Sequence, residues 1–367
     1  MTLIHVLSPG FVTPNGRAFL FPLMVWREAL AESGLRIRIF DGVTPELAAC
    51  DALLIDSKFY RADWGAAGAR ILDEIAGFAS ACRVVFCDTT DSASWLKAEV
   101  LPLVHVYAKG QLLRDRSDYG RPYYGHRTYA DFYHRTLNIE DAVPEWSPTV
   151  TDPALRAKLR LSWNTGLADY SLHGPLRMAA YGRVPLRPLL RFPHQFLSPD
   201  APRPNDMSCR FGAGYPRASV AAQRRLIQEL LAGRMETRKV SRRAYMRELR
   251  NSRVVVSPFG FGEITLKDFE VLLTGGALLK PDTSHMETWP NLFRAGQTML
   301  VHAWDLSDFD EVLEQAIADR PGTQRVATCG QAVYRDHMHG EVAVASFAAQ
   351  LKMLIANPAL SRQAVSS

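Results

Sequence analysis

SPFGFGEITLKDFEVLLTGGALLKPD, residues 257–282, is the stretch that decides the fold. The apolar run Val254, Val255, Val256 ends at Ser257-Pro258, where a buried strand gives way to a turn. Leu266, Phe269 and Leu273 then recur at helical spacing, and Gly275-Gly276 stops the helix before apolar Ala277, Leu278 and Leu279. The reading is strand, glycine-rich loop, helix, strand. Such a loop leaves backbone N–H groups free at the start of a helix, where a phosphate binds without committing many side chains. Glu270, one to two turns inside, is placed to accept hydrogen bonds from a ribose.

Working outward, the same alternation continues on both sides. Ahead of the stretch come a strand at 207–211, a helix at 218–232, an edge-like strand at 234–240, and a helix at 241–250 with Ser241 as its N-cap. Behind it come a strand at 298–302 and helices at 308–318, 328–338 and 342–355. The first half repeats the pattern, with strands at 3–7, 35–40, 52–55 and 83–87 and helices at 17–33 and 66–80. Strands alternating with helices imply parallel sheets covered on both faces, here without a G-x-G-x-x-G fingerprint. A chain of 367 residues at roughly 100–200 per domain makes two such units. The boundaries expected are 1–150, an interdomain segment at 151–203 that begins in a proline-rich run, 204–340, and a closing helix and tail at 341–367.

Ligands of such sheets sit outside the carboxyl ends of the strands, which gathers 9–17, 56–60 and 88–92 around one crevice. Asp88 and Asp91 follow a buried strand, and either carboxylate suits a general base. The competing role for Asp91 and Ser92 is to cap the next helix. Residues 110–135 are dense in Arg, Tyr, His and Gly with poor periodicity, a composition that suits stacking and hydrogen bonding to a sugar or lipid-phosphate. On this reading Asn15, Arg17, Tyr123, Tyr124 and His134 face an acceptor, and His126 joins the candidate bases. The alternative for 110–135 is a solvated connection with its tyrosines half packed.

Lys267, Phe269, Glu270, Thr274, Gly275, Gly276 and the apolar run 277–279 resemble the C-terminal signature of group-1 glycosyltransferases, above all the spore-maturation-type branch. The likeness spans roughly residues 245–339. The first glutamate of the family's pair is replaced here by Phe259 or Pro258, and Glu263, just after the loop, is the substitute on offer. The resemblance implies a GT-B fold: α/β, two Rossmann-like domains facing a cleft, with the last helix crossing back to the first domain. It implies a metal-independent transfer with no cofactor, from a nucleotide-sugar to a glycan or lipid-linked acceptor in cell-surface polysaccharide synthesis. It places Arg210 and Arg217 on the donor diphosphate, and Gly260, Gly262, Glu263, Thr265, Lys267 and Glu270 around the donor. An exposed helix face is the plainer role for Lys267 and Glu270. A nucleotide-sugar epimerase on the same scaffold, or a non-catalytic glycan-binding protein, are the other functions this pattern admits. Inverting and retaining outcomes both fit.

Net charge is +5, with 22% charged and 47% hydrophobic residues, which is ordinary for a globular protein. No Lys/Arg block forms a phosphate-tracking patch, so nucleic acid is not expected as a partner, whereas a peripheral contact with acidic lipid is. Five scattered cysteines read as buried thiols in a reducing compartment, and Cys82 and Cys87 lack the companions of a zinc site. No signal peptide and no apolar run of about 20 residues is apparent. A cytoplasmic protein, peripheral at the inner membrane face, is expected.

Overall fold

The computed structural model describes residues 1–356. The first half opens with β1 (Thr2–Leu7), α1 (Pro14–Val25), α2 (Arg27–Glu32), β2 (Leu35–Phe40), β3 (Ala52–Asp56), α3 (Trp64–Ala81), β4 (Arg83–Asp88) and β5 (Val106–Lys109). It continues through β6 (Gln111–Leu113), α4 (Thr128–Leu137), α5 (Pro153–Arg156), β7 (Leu159–Leu161) and α6 (Gly174–Tyr181). The second half holds β8 (Asn205–Ser208), α7 (Ala218–Leu230), α8 (Arg242–Asn251), β9 (Ser252–Val256), α9 (Leu266–Thr274), β10 (Ala277–Pro281), β11 (Met286–Thr288) and β12 (Leu300–His302). Then come α10 (Phe309–Ala318), α11 (Arg320–Asp336) and α12 (Glu341–Ile355).

Two parallel sheets result, β2-β1-β3-β4-β5-β7 and β12-β10-β9-β8. Every residue of β3 and of β10 is buried, which is why these strands read as continuous runs rather than alternating ones. The loops at the carboxyl ends of both sheets face one cleft. α12 returns to the first half, where Phe347 meets the rings of Trp26 at 5.2 Å and Trp163 at 4.9 Å. Gln350 also donates to the carbonyl of Leu161 at 2.7 Å. This is the GT-B arrangement.

Four sequence expectations change. The helix expected at 17–33 is two: Thr13 caps the amide of Gly16, Pro14 takes the first helical turn, and the chain breaks at Trp26, four residues past the internal Pro22. Residues 234–240 form no strand, although the Thr237 carbonyl accepts from the Phe211 amide at 2.9 Å. Leu159–Leu161, from the segment expected to be interdomain, is the edge strand of the first sheet. The tail at 357–367 lies outside the described residues.

The fourth change concerns residues 110–135, which strap the halves together. β6 pairs antiparallel with β11, Gln111 opposite Thr288 and Leu113 opposite Met286. Tyr129 and Tyr133 of α4 pack on Ala222 of α7 and on Phe259. The hydroxyl of Tyr129 donates to Gly260 O at 2.6 Å, and Gln223 donates to the Tyr133 hydroxyl at 2.7 Å. The period is poor because the partners of this segment lie in the other half.

Candidate functional site

A cavity of about 370 Å³ opens between the two sheets. Asn15, Asp88, Thr90, Asp91 and Trp163 line it from the first half, and Tyr215, Gly260, Gly262, Thr265 and Leu266 from the second. Its second-half wall is the start of α9. The capping box there is closed by Asp268, whose Oδ2 accepts from the Thr265 amide at 2.8 Å. Asp268 is itself fixed by Ser257 Oγ at 2.6 Å and by a fully buried ion pair with Lys280 at 3.0 Å. These contacts hold the helix end still and leave its first amides free. Among the described residues, those of Leu266 and Lys267 donate to nothing. A helix N-terminus in that state is an anion site.

Two cations stand behind this wall, neither of them lining the cavity itself. Arg224 is 8% exposed, and its guanidinium donates to the carbonyls of Phe259 at 2.6 Å and Gly212 at 2.8 Å. It also sits over the rings of Tyr215 and Phe211, at 5.0 and 5.4 Å. Its remaining nitrogen would lie 3.5 Å from a Cβ on Gly260, so the loop runs in contact with the charge. Lys267 rests its ammonium on the carbonyls of Arg210, at 2.5 Å, and Val256, at 3.4 Å. Burial, with Arg224 adding to it, lowers the Lys267 pKa to about 8. Neither cation has a carboxylate within 4 Å among the described residues. A buried, uncompensated charge such as that of Arg224 costs several kcal/mol, a cost that a bound anion would remove.

The basic pair taken from the resemblance is engaged elsewhere. Arg210 donates to both oxygens of Glu248 at 3.0 Å, and Arg217 pairs with Glu145 and with Gly125 O; neither lines the cavity. Arg224 was missed. The signal for it is present, because position 224 falls on the apolar stripe of α7 with Val220 and Ile227, where an arginine needs a reason.

Other expected donor residues divide. Gly260, Gly262 and Thr265 line the cavity. A Cβ on Gly262 would meet the Asp91 carbonyl at 2.1 Å, so glycine lets the two halves touch. Glu263 does not line it. Fully buried, it accepts from the Ala93 amide at 3.0 Å and from Gln111 at 2.9 Å, tying one half to the other. Glu270 is buried behind the wall, paired with Arg242; burial raises its pKa and Arg242 opposes the rise.

On the opposite wall, Asp88 lies in a buried ion pair with Lys109 at 2.8 Å and accepts from the Tyr107 hydroxyl at 2.8 Å. Burial alone would raise its pKa, but the Lys109 charge and the hydrogen bonds outweigh it and hold the carboxyl below its ordinary value. Asp91 is exposed to the cavity and accepts from Asn15, which also donates to Thr89 O at 3.0 Å. No helix follows Asp91, so the capping role falls away; Ser92 donates instead to His126 O at 2.8 Å. His126 lies outside the cavity with its Nδ1 3.9 Å from Glu145, and burial, with Arg217 and Arg127, lowers its pKa to about 4.

The aromatic acceptor residues are packing groups. Tyr124 stacks on His134 at 3.9 Å between centroids, and its hydroxyl accepts from the Asp141 amide at 2.5 Å. Tyr123 is buried with its hydroxyl on Arg121, His134 bonds Ile139 O, and Arg17 donates to Phe11 O at 2.8 Å. Asn15 alone of the expected acceptor set reaches the cavity. Among the described residues no His, Cys, Asp and Glu groups gather to hold a metal ion.

No protein-family model and no curated protein matches the chain. Among solved structures it is similar to HepE of Anabaena in complex with UDP-glucose, at 9% identity over 96% of this chain and 99% of that one, TM-score 0.44. It is similar to sucrose-phosphate synthase from Thermosynechococcus elongatus at 11% identity over 100% of both chains, TM-score 0.45. A third is an α-glucosyltransferase in complex with UDP and a 13-mer DNA containing a HMU base, at 10% identity over 96% of this chain and 98% of that one, TM-score 0.40. That protein is in complex with DNA, and the expectation that nucleic acid is not a partner is not kept. The fold itself rests on the two sheets and their shared cleft.

Proposed function

We propose that this chain is a glycosyltransferase that moves a sugar from a nucleotide-sugar donor to a glycan or lipid-linked acceptor in cell-surface polysaccharide synthesis. The observation that carries the proposal is the wall formed by the open start of α9 with buried Arg224 and half-buried Lys267 behind it, two cations without a protein anion. The donor diphosphate lies against these groups, and the charge that develops as the sugar leaves is stabilised by donors already in place. No metal is needed for that step. Asp91, exposed to the cavity from the other half, is the carboxylate placed to take the acceptor proton if the transfer inverts. Five free thiols support a reducing, cytoplasmic setting.

Incubation with a panel of nucleotide-sugars, with and without a chelator, tests this. The expected result is slow release of free nucleotide from one donor, unchanged by the chelator. Conversion of a donor to its isomer without nucleotide release, or no turnover of any donor by folded protein, would overturn it.

A further inference from the structure

Residues 172–193, LHGPLRMAAYGRVPLRPLLRFP, contain four arginines and neither Asp nor Glu. Their inner side is anchored on the first half. Met178 is buried, Phe192 packs on Trp26 at 4.7 Å and on Phe21 at 5.2 Å, and Tyr181 meets Phe11 at 4.9 Å. The outer side is apolar and open to solvent. Leu176 is 70% exposed, Val184 54% and Leu186 58%; Val12, beside Phe11, is 67% exposed. The patch is continuous with that loop, since a Cβ on Gly182 would lie 3.1 Å from the Phe11 Cβ.

Charge around the apolar tips is mostly positive. Arg177 pairs with Asp169 and Arg187 with Glu28, while Arg183 and Arg191 have no carboxylate within 4 Å among the described residues. Apolar side chains flanked by arginines, only one of them offset by an exposed acid, Glu28, match a leaflet in which acyl chains lie below anionic headgroups. A protein partner would be met by aromatic anchors, and here the aromatic rings, Tyr181 and Phe192, turn inward. Prolines at 175, 185, 188 and 193 stiffen the segment, so little order is lost on docking.

We propose that this surface docks the protein on a membrane leaflet bearing anionic lipid. The loop at 8–13 runs directly into α1, whose Asn15 lines the cavity, so docking sets the first-half mouth of the cleft at headgroup level. Delivery of a lipid-linked acceptor there rests on the transferase reading; the docking itself does not.

The test is co-sedimentation of the full chain with vesicles of phosphatidylcholine alone or mixed with phosphatidylglycerol, with UDP affinity measured on the same samples. Expected is binding to the mixed vesicles only, weakened by salt and lost in Leu176→Ser/Val184→Ser/Leu186→Ser. Arg183→Glu/Arg191→Glu lowers it by at least about tenfold, and both variants keep the wild-type UDP affinity. No binding to either vesicle, equal binding to both, or undiminished binding by the triple variant overturns the docking. Loss of UDP affinity in the wild type bears on the transferase reading alone.

Discussion

Arg224 occupies a position that an apolar side chain would fill more cheaply. Its guanidinium is held by two carbonyls and two rings, none of which neutralises it. Removing a buried cation that has no counter-ion also removes its desolvation cost, which offsets the two hydrogen bonds lost with it. Arg224→Met is therefore expected to leave the unliganded melting temperature unchanged or higher, by differential scanning fluorimetry, while weakening nucleotide binding. Lys267 adds a pH dependence. Its folded pKa, about 8, lies below the ordinary 10.5, so between those values the unfolded chain holds a proton that the folded chain has released. Its contribution to stability thus rises with pH across that window. A bound anion favours the protonated form, so nucleotide affinity falls as pH rises above about 8, and Lys267→Met flattens that dependence in calorimetric titrations from pH 7 to 10. Arg210 and Arg217 show why the basic pair was not legible in the chain. Their carboxylates lie 38 and 72 residues away in sequence, and spacing along a strand end does not reveal which acid folds over it.

At the scale of elements, α9 was legible because everything that makes it is local. Thr265 caps it, Asp268 closes the box, and Gly275, at φ 73°, ends it in the left-handed region. Thr265→Ala is expected to cost about 1 kcal/mol of stability by denaturant titration and to weaken nucleotide binding by loosening the anion site. Gly262→Ala acts differently. Its Cβ would press on the Asp91 backbone, so the loss should appear both as a lowered melting temperature and as lost binding. The strap at 110–137 was not legible for the opposite reason. β6 finds its register on β11, and α4 finds its apolar partner on α7, so neither element carries its own pattern. Aromatic residues read as sugar contacts, Tyr123, Tyr124 and His134, are the packing of that strap.

The two parallel sheets are joined by the β6–β11 pair, by α4 on α7, and by α12 lying back across the first half. Glu263 adds a buried tie from the α9 loop to Ala93 and Gln111. The halves are therefore expected to unfold together: one calorimetric transition, with van't Hoff and calorimetric enthalpies equal. Two resolved transitions would contradict that coupling. The alternation of strands and helices made the two halves and their cleft readable in advance, because each parallel unit is built from neighbours in sequence.

The central claim is that the second-half wall of the cleft holds a nucleotide by its phosphates through α9, Arg224 and Lys267. Calorimetric titration of UDP, GDP and CMP into the wild type and Arg224→Met tests it most directly. The expected result is saturable binding of one nucleotide by the wild type, weakened at least about tenfold in a folded Arg224→Met. Binding of none of the three by folded wild-type protein, or equal affinity in the variant, would contradict the account.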